Sequence, residues 1–501
     1  MKLPATASVL CIAVLLTSGG CSEPGDIAAH AGPRAPNQLP NIVLVLADDL
    51  GIGDVGAYGG ETIATPHLDK LAASGVRFSN GYVSHPVCSP SRAGLITGTY
   101  QQRHGWEFNP AGRDLEHGMS VEVPTLADML SAAGYDTAMI GKWHLGHNTP
   151  HHPLDRGFDH YFGILAGGSL YIDPQYPGVE NAGRVAPKRD QRISVYRGRR
   201  AVHVEEYLTD AFTDEAEAYI REARQAPFFL YLSYTAPHTP LQATKPYLDR
   251  YRHITDPAER VYAAMVSALD DGIGRLRRVL RETGYLDNTL IVFLSDNGCA
   301  GYLRGACSNA PYAGYKRYHQ EGGIRVPFLL SWPRRLAAGQ VRHEMISSLD
   351  LMNTFAAAAA HTGSSADGKN LLPWLTGEAP APHQYLYWRS GPTSAVRNER
   401  WKLIRYNRTP FTAADLDPTG RLPAPPNGWP IDSPHGQMAL LYDLKADPGE
   451  TQNMARRFPD EVEHLSQAHR AWADLLPERA LLPPIRSTIA DMHGETVQLL
   501  F

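Results

Sequence analysis

The sequence predicts an α/β protein: a large, mostly parallel central sheet flanked by helices, followed by a smaller C-terminal α+β subdomain with a short antiparallel sheet. Three observations lead there. Short apolar runs recur along the chain, and each stops at a polar cluster. Helical patterns fill the intervals between them. Past about residue 378 the pattern changes to closely spaced short strands and one amphipathic helix.

Asn41 to Ala47 is a β-branched run that ends in Asp48-Asp49, and Thr137 to Ile140 ends in Gly141-Lys142-Trp143-His144. Phe228 to Ser233 ends near Pro237-His238, and Leu290 to Ser295 ends in Asp296-Asn297-Gly298. Unbroken apolar runs of this length fit strands of a parallel sheet covered on both faces. Between them, Pro124 to Ala133 sets Leu126, Met129 and Leu130 on one helical face, and Asp210 to Ala223 and Glu259 to Thr283 are longer helical patterns. Strand and helix in alternation make an α/β sandwich, and sites in such sheets form beyond the carboxyl ends of the strands. Four strands that each end in charged or hydrogen-bonding residues are what a shared site there requires. Further on, Tyr385 to Trp388, Ala395-Val396, Trp401 to Tyr406 and Ala439 to Leu444 read as short antiparallel strands. Asp460 to Leu476 reads as a helix, and the Pro-rich Thr409 to Pro434 as a loop.

The chain begins differently. Lys2 precedes an unbroken apolar run from Val9 to Leu16, then the small residues Thr17 to Gly20 and Cys21. The run is far shorter than the ~20 apolar residues a membrane span needs, so residues 1–20 read as a signal peptide. A Cys directly after the cleavage site is similar to a bacterial lipobox, in which the Cys is lipidated; an ordinary signal peptide with an incidental Cys is the alternative. Residues 21–38, rich in Gly, Pro and Ala, read as a tether. The expectation is export, to the periplasm or the outer membrane through Cys21, or secretion. Residues 39–378 then form the main domain and 379–501 the subdomain.

Composition narrows the function. In 501 residues, 43% are hydrophobic and 20% charged, which excludes disorder, collagen and coiled coil. The net charge of −5 argues against a general nucleic-acid binder. Of the five cysteines, Cys11 leaves with the signal peptide and Cys21 is the anchor candidate. Cys299 and Cys307 are close enough in sequence to pair in an oxidising compartment, a pairing the sequence leaves open. Cys88 remains alone.

Asp48, Asp49, Asp296 and Asn297 form a hard, all-oxygen donor set, which suits Ca²⁺ or Mg²⁺ and not Zn²⁺. A lone Asp-Asp is more often a turn or helix cap; two such pairs, each ending its own apolar strand, point to a site. Cys88 sits between Pro and Ser residues at the opening of an apolar helix, where backbone N–H groups face an anion, with Arg92 one turn further on.

These residues resemble a known family. Cys88-x-Pro90-x-Arg92 followed by Ala93 to Gly98 looks like the signature of type I sulfatases, in the alkaline phosphatase superfamily, with arylsulfatases and N-acetylgalactosamine-6-sulfatases as family names. Gly134 to His144 is similar to the second family signature. So are Arg156-Gly-Phe-Asp159, Asp296-Asn-Gly and Lys316-x4-Glu321-Gly-Gly-Ile-Arg-Val-Pro327. The likeness runs from about Pro40 to Glu450.

The resemblance implies an alkaline phosphatase-like sandwich and a sulfuric ester hydrolase acting on a sulfated carbohydrate. It implies that a separate formylglycine-generating maturation enzyme oxidises Cys88 to formylglycine, whose hydrated aldehyde is the nucleophile. Asp48, Asp49, Asp296 and Asn297 would hold Ca²⁺, with Mg²⁺ second, and residue 88 would touch it. Arg92 and Lys142 would anchor residue 88, and Lys142 and Lys316 would grip the sulfate. His238 would protonate the leaving alcohol and His144 would accept the proton of the second hydroxyl. His85, His104 and His147 are read as supporting residues near the same loops. Two other readings are a formylglycine-dependent phosphonate monoester hydrolase or phosphodiesterase, and a non-catalytic glycan-binding lipoprotein with Cys88 unconverted. The basic stretch Arg184 to Arg200, with seven cations against Asp190, reads either as an exposed loop or as a surface for a polyanionic sulfated glycan.

Overall fold

The computed structural model describes residues 39–110, 117–182, 194–222, 224–303, 305–362, 365–391, 393–407, 437–476, 487–492 and 495–500. The expected signal sequence and tether, Cys21 included, lie outside the described residues, as do segment 409–434 and residues 184–193 of the basic stretch.

Among the described residues, ten strands form the central sheet: β1 (Asn41–Ala47), β2 (Val76–Phe78), β3 (Asp136–Lys142), β4 (His160–Ile164), β5 (Val195–Arg197), β6 (Arg200–Val202), β7 (Phe228–Ser233), β8 (Thr289–Ser295), β9 (Phe328–Ser331) and β10 (Gln340–Arg342). Their order is β10-β2-β9-β8-β1-β7-β3-β4-β5-β6. The five central strands, β8 to β4, are parallel. Only β9 and β5 run against their neighbours on both sides.

Two-sided burial explains the unbroken apolar runs. Successive side chains of a strand point to opposite faces. In β1, Ile42, Leu44 and Leu46 enter one core layer while Val43, Val45 and Ala47 enter the other, all at 0% exposure. β8 divides the same way, with Leu290, Val292 and Leu294 on the first face and Ile291 and Phe293 on the second. Helices α1 (Pro66–Ala73), α4 (Leu208–Arg221) and α5 (Pro257–Glu282) cover the second face, and α2 (Cys88–Thr97) and α3 (Leu126–Ala132) the first. The longest of them, α5, starts at Asp256, whose carboxylate accepts from Ala258 N and Glu259 N, with Pro257 in the first turn.

The strands expected at 41–47, 137–140, 228–233 and 290–295 are present, and the three expected helices lie within about two residues of their sequence bounds at most ends. The described part of the basic stretch corrects the loop reading: β5 and β6 make an edge hairpin. Two of its three arginines are matched, Arg197 by Glu215 and Arg199 by Asp155 at 2.6 Å, while Arg200 is exposed.

Past residue 378, β11 (Leu386–Ser390), β12 (Thr393–Arg397), β13 (Trp401–Asn407) and β14 (Gln437–Asp443) form a four-stranded antiparallel sheet in that order. One face, with Trp388, Ile404, Tyr406 and Tyr442, belongs to the same core as α2. The other face, with Val396, Leu403 and Leu441, packs on Leu465 of α6 (Pro459–Ala473). A buried ion cluster ties the two sheets. Lys402 Nζ lies 2.8 Å from Glu321 Oε1 and 3.0 Å from Glu450 Oε1, with side chains at 0% exposure for all three residues named in the pairs. Glu321 N donates to Glu450 Oε2 at 2.7 Å. Burial pushes the Glu450 carboxyl up to about 7 against the pull of Lys402. Among the described residues no helix is long and apolar enough to cross a membrane.

Lys402→Met leaves the buried Glu450 without its cation and Glu321 with Arg325 and Arg397 alone, so stability falls by about 3–5 kcal/mol. Urea unfolding of the variant measures this, and a loss below about 1 kcal/mol would contradict the role given to the cluster.

Candidate active site

The site lies where the central strands end. Asp48 and Asp49 follow β1, Lys142 closes β3, Ser233 closes β7, and Asp296 and Asn297 follow β8. Cys88 opens α2, which presents its first turn to the same place. Its Sγ lies 3.5 Å from Asp48 Oδ1 and 3.7 Å from Asp49 Oδ1. One ligand atom each from Asp48, Asp49, Cys88 and His238 fall within 4.8 Å of one another.

Three carboxylates this close repel unless cations stand between them. Lys142 Nζ meets Asp48 Oδ2 at 2.7 Å, and Lys316 Nζ meets Asp49 Oδ1 at 2.7 Å. Arg92 takes Asp296 Oδ2 with Nε at 2.9 Å and Nη2 at 2.8 Å. Its Nη1 donates to Lys142 O at 3.0 Å and Ser233 Oγ at 2.6 Å. Arg92 thus holds α2 to three strand ends with one planar fork, which a lysine could not do.

The charges set the protonation states. Burial, with the nearby Asp296, pushes Asp48 up to about 7 although Lys142 and Arg92 pull the other way. Burial would also raise Asp49, but Lys316, His238 and Lys142 outweigh it and hold that carboxyl well below its usual range. Asp296 is held low by Arg92 and Lys142 against its burial. Burial and Asp296 push the Cys88 thiol far up, so the unmodified thiol stays protonated. His238 is pushed down to about 3 by burial and Lys316, and His144 is lowered by burial, Lys142 and Arg92.

Two residues of the site stand in the left-handed backbone region without being glycine: Asp49 at φ 64° and His144 at φ 60°. Such conformations are uncommon and gather at functional sites. Each turns the chain sharply off its strand. The His144 carbonyl accepts from Ser89 Oγ at 2.6 Å, beside Cys88. Gly167 lies against the His144 ring, and a Cβ there would come within 2.6 Å of Nε2. His238 Nδ1 pairs with Thr239 O at 2.6 Å, which leaves Nε2 facing Asp49 at 3.6 Å.

The donor set fits a hard cation. Asn297 Nδ2 is committed to Asp49 Oδ1 at 2.7 Å and Gly298 O at 2.9 Å, while its Oδ1 is buried with no hydrogen-bond partner. A buried amide oxygen held in place beside buried carboxylates is the arrangement a Ca²⁺ or Mg²⁺ site requires.

All the residues singled out in the sequence for the site converge: Asp48, Asp49, Cys88, Arg92, Lys142, His144, His238, Asp296, Asn297 and Lys316. His85, behind Cys88, pairs with Ser390 Oγ at 2.6 Å, and His104 with Thr99 Oγ1 at 2.7 Å. Cys299 and Cys307 form a disulfide in the loop after Asn297, and Lys316 N bonds Cys299 O at 2.9 Å. Sequence reasoning missed Ser233, Gly167 and Tyr302. Tyr302, 43% exposed, donates to Asp49 Oδ2 at 3.3 Å. Only Ser233 carried a signal, its place at a strand end.

A doubly covered parallel sheet with this cluster beyond its strand ends defines an alkaline phosphatase-like ester hydrolase. The family model described as Sulfatase matches residues 40–361, and one described as N-sulphoglucosamine sulphohydrolase, C-terminal, matches 314–417. N-acetylgalactosamine-6-sulfatase of Homo sapiens is 37% identical over 458 residues, covering 85% of this chain and 83% of its own. Arylsulfatase G of Rattus norvegicus is 32% identical over 488 residues, covering 91% and 90%. The crystal structure of Ps i-CgsB superposes with a TM-score of 0.77 at 33% identity, covering 89% of this chain and 95% of its own. A complex of Ps i-CgsB with k-i-k-neocarrahexaose superposes at 0.76. The chain belongs to the sulfatase family and is a sulfuric ester hydrolase.

Proposed function

We propose that this enzyme removes sulfate from a sulfated carbohydrate outside the cytoplasm, with residue 88 as formylglycine and Ca²⁺ as its preferred metal. The observation that carries the reading is the meeting of Cys88 with three buried carboxylates and three buried cations at the strand ends. The carbohydrate is supported by the relative crystallised with a neocarrahexaose and by the relative named for a sulfated amino sugar. Export rests on the signal-like residues 1–20, with Cys21 as the lipid anchor.

Asp48, Asp49, Asp296 and Asn297 would hold the metal, which supplies Lewis-acid polarisation of a sulfate oxygen. Formylglycine, made from Cys88 by a maturation enzyme, supplies a hydroxyl nucleophile from its hydrated aldehyde. The rest falls to side chains already in place. Arg92 fixes the first turn of α2, and so the position of residue 88, against β3, β7 and Asp296. Lys142 and Lys316 balance Asp48 and Asp49 and offer point charges to the sulfate oxygens.

His238 holds its Nδ1 on the Thr239 carbonyl, so Nε2 is the nitrogen that exchanges a proton with the leaving alcohol. Burial first and Lys316 second depress this ring, and the negative charge of an ester beside Lys316 offsets the second of these. His144, kept neutral by burial and its cationic neighbours, accepts a proton as sulfate leaves.

The function is tested by sulfate release from sulfated oligosaccharides, run beside matched aryl sulfate and aryl phosphonate esters. The account expects free sulfate from the sugar and faster turnover of the aryl sulfate; preference for the phosphonate would overturn it. Because a sugar alcohol leaves poorly, His238→Ala should lower sugar desulfation by about 10²–10⁴-fold. Nitrophenyl sulfate, whose leaving group needs no proton, should lose much less. Equal losses on both substrates, read from kcat, would contradict the acid role of His238.

A further inference from the structure

A second charged feature lies on the outer side of the helical layer. Helices α1 and α5 wall a groove of about 510 Å³ whose lining includes Lys70, Arg275, Arg277, Arg278 and Arg281. Two of these cations are matched by the chain. Arg275 reaches Glu217 at 2.9 Å, and Arg278 reaches Glu217 at 3.1 Å. Asp271, also on the lining, is matched by Arg250 at 2.6 Å.

Among the described residues, no carboxylate pairs with Lys70, Arg277 or Arg281. Lys70 and Arg281 are exposed. Arg277 is only 8% exposed; its Nη2 donates to Ser74 Oγ at 2.9 Å, and its Nε is buried with no hydrogen-bond partner. Burial and the charge of Arg281 pull Arg277 below its usual value. Arg277 and Arg281 stand one helical turn apart, about 6 Å. In a chain of net charge −5 this is a local excess of positive charge, one member of it already desolvated. Two of these cations stand on α5 and the third on α1, so the groove offers several separated positive charges, which suit repeated anionic groups better than a single one.

The groove is remote from the ester site. α5 meets the segment that follows Asp48-Asp49 through Tyr262, whose hydroxyl donates to Asp54 Oδ2 at 2.8 Å. Arg277 and Arg281 follow 15 and 19 residues further along the helix, roughly 22–28 Å at 1.5 Å per residue. A ligand seated there is not the ester undergoing hydrolysis.

We propose that this groove is an accessory binding site for a sulfated polysaccharide, holding sulfate groups distant from the one being removed; the sugar polymer as its ligand rests on the substrate reading above. A chain engaged at both places has a raised effective concentration at the ester site, so long chains bind better than short ones.

The test uses the full-length enzyme and the double variant Lys70→Gln/Arg281→Gln, both positions exposed, with thermal midpoints compared to check the fold. Binding of long dextran sulfate, a short dextran sulfate fragment and double-stranded DNA of similar charge is measured at 0.15 M salt, with aryl sulfate turnover as the control. The proposal expects the variant to lose about tenfold in affinity for the long polymer, little for the short fragment, and nothing in aryl sulfate turnover. It also expects DNA to bind the wild type more weakly than the polymer. Unchanged polymer affinity in the variant would overturn the proposal, as would DNA bound as tightly as the polymer and lost equally. A wild type that lacks aryl sulfate turnover would instead strike the function reading.

Discussion

Three buried carboxylates and three buried cations neutralise one another at the carboxyl ends of the central strands, and most of the structure serves that balance. Asp48, Asp49 and Asp296 have almost no exposure to water, and none could remain ionised there alone. Each cation comes from a different element: Arg92 from α2, Lys142 from the end of β3, Lys316 from the loop after β8. Removing any element would strand a charge. The site is therefore a constraint on how the helices and loops dock on the sheet, and not an addition to a finished fold.

The constraint extends outward. Lys316 can reach Asp49 only if its loop is held close to the end of β8. That loop is pinned by the Cys299–Cys307 disulfide and by the close approach of Gly298 to the Gly322 carbonyl, where a Cβ would come within 1.7 Å. Glu321, next to it, is anchored by Lys402 from the small sheet. The C-terminal sheet thus supports the site from behind, and among the described residues none of its side chains hydrogen-bonds Cys88. In the same way Arg156, on Ser120 and Val123 carbonyls, and Asp159, on Thr137 N, fasten the chain around β3.

Much of this was legible in the sequence, for a physical reason. Strands buried on both faces must be apolar throughout, so β1, β7 and β8 are marked as continuous runs, and the polar residues that end them are conspicuous. Asp48, Asp49, Asp296 and Lys142 could be read from that contrast alone. The short strands β2, β9 and β10 carry too few residues to show a period. Lys316 became legible only through its spacing from Glu321-Gly-Gly, which the structure explains as a loop folded on itself. Gly167 and Tyr302 reach the site from loops whose path no local pattern encodes. The described end of the basic stretch pairs as an edge hairpin, which a run of cations does not announce, and its Arg197 and Arg199 find carboxylates 18 and 44 residues away.

The account stands or falls on residue 88. As a thiol it is buried, protonated and close to two carboxylates; the proposed aldehyde hydrate would put a hydroxyl in the same place. The decisive measurement is the mass of the tryptic peptide Phe78 to Arg92, from protein made in a host with an active maturation enzyme. The account predicts a peptide lighter by the change from thiol to aldehyde. An unmodified cysteine, with a control sulfatase converted in the same cells, would contradict it.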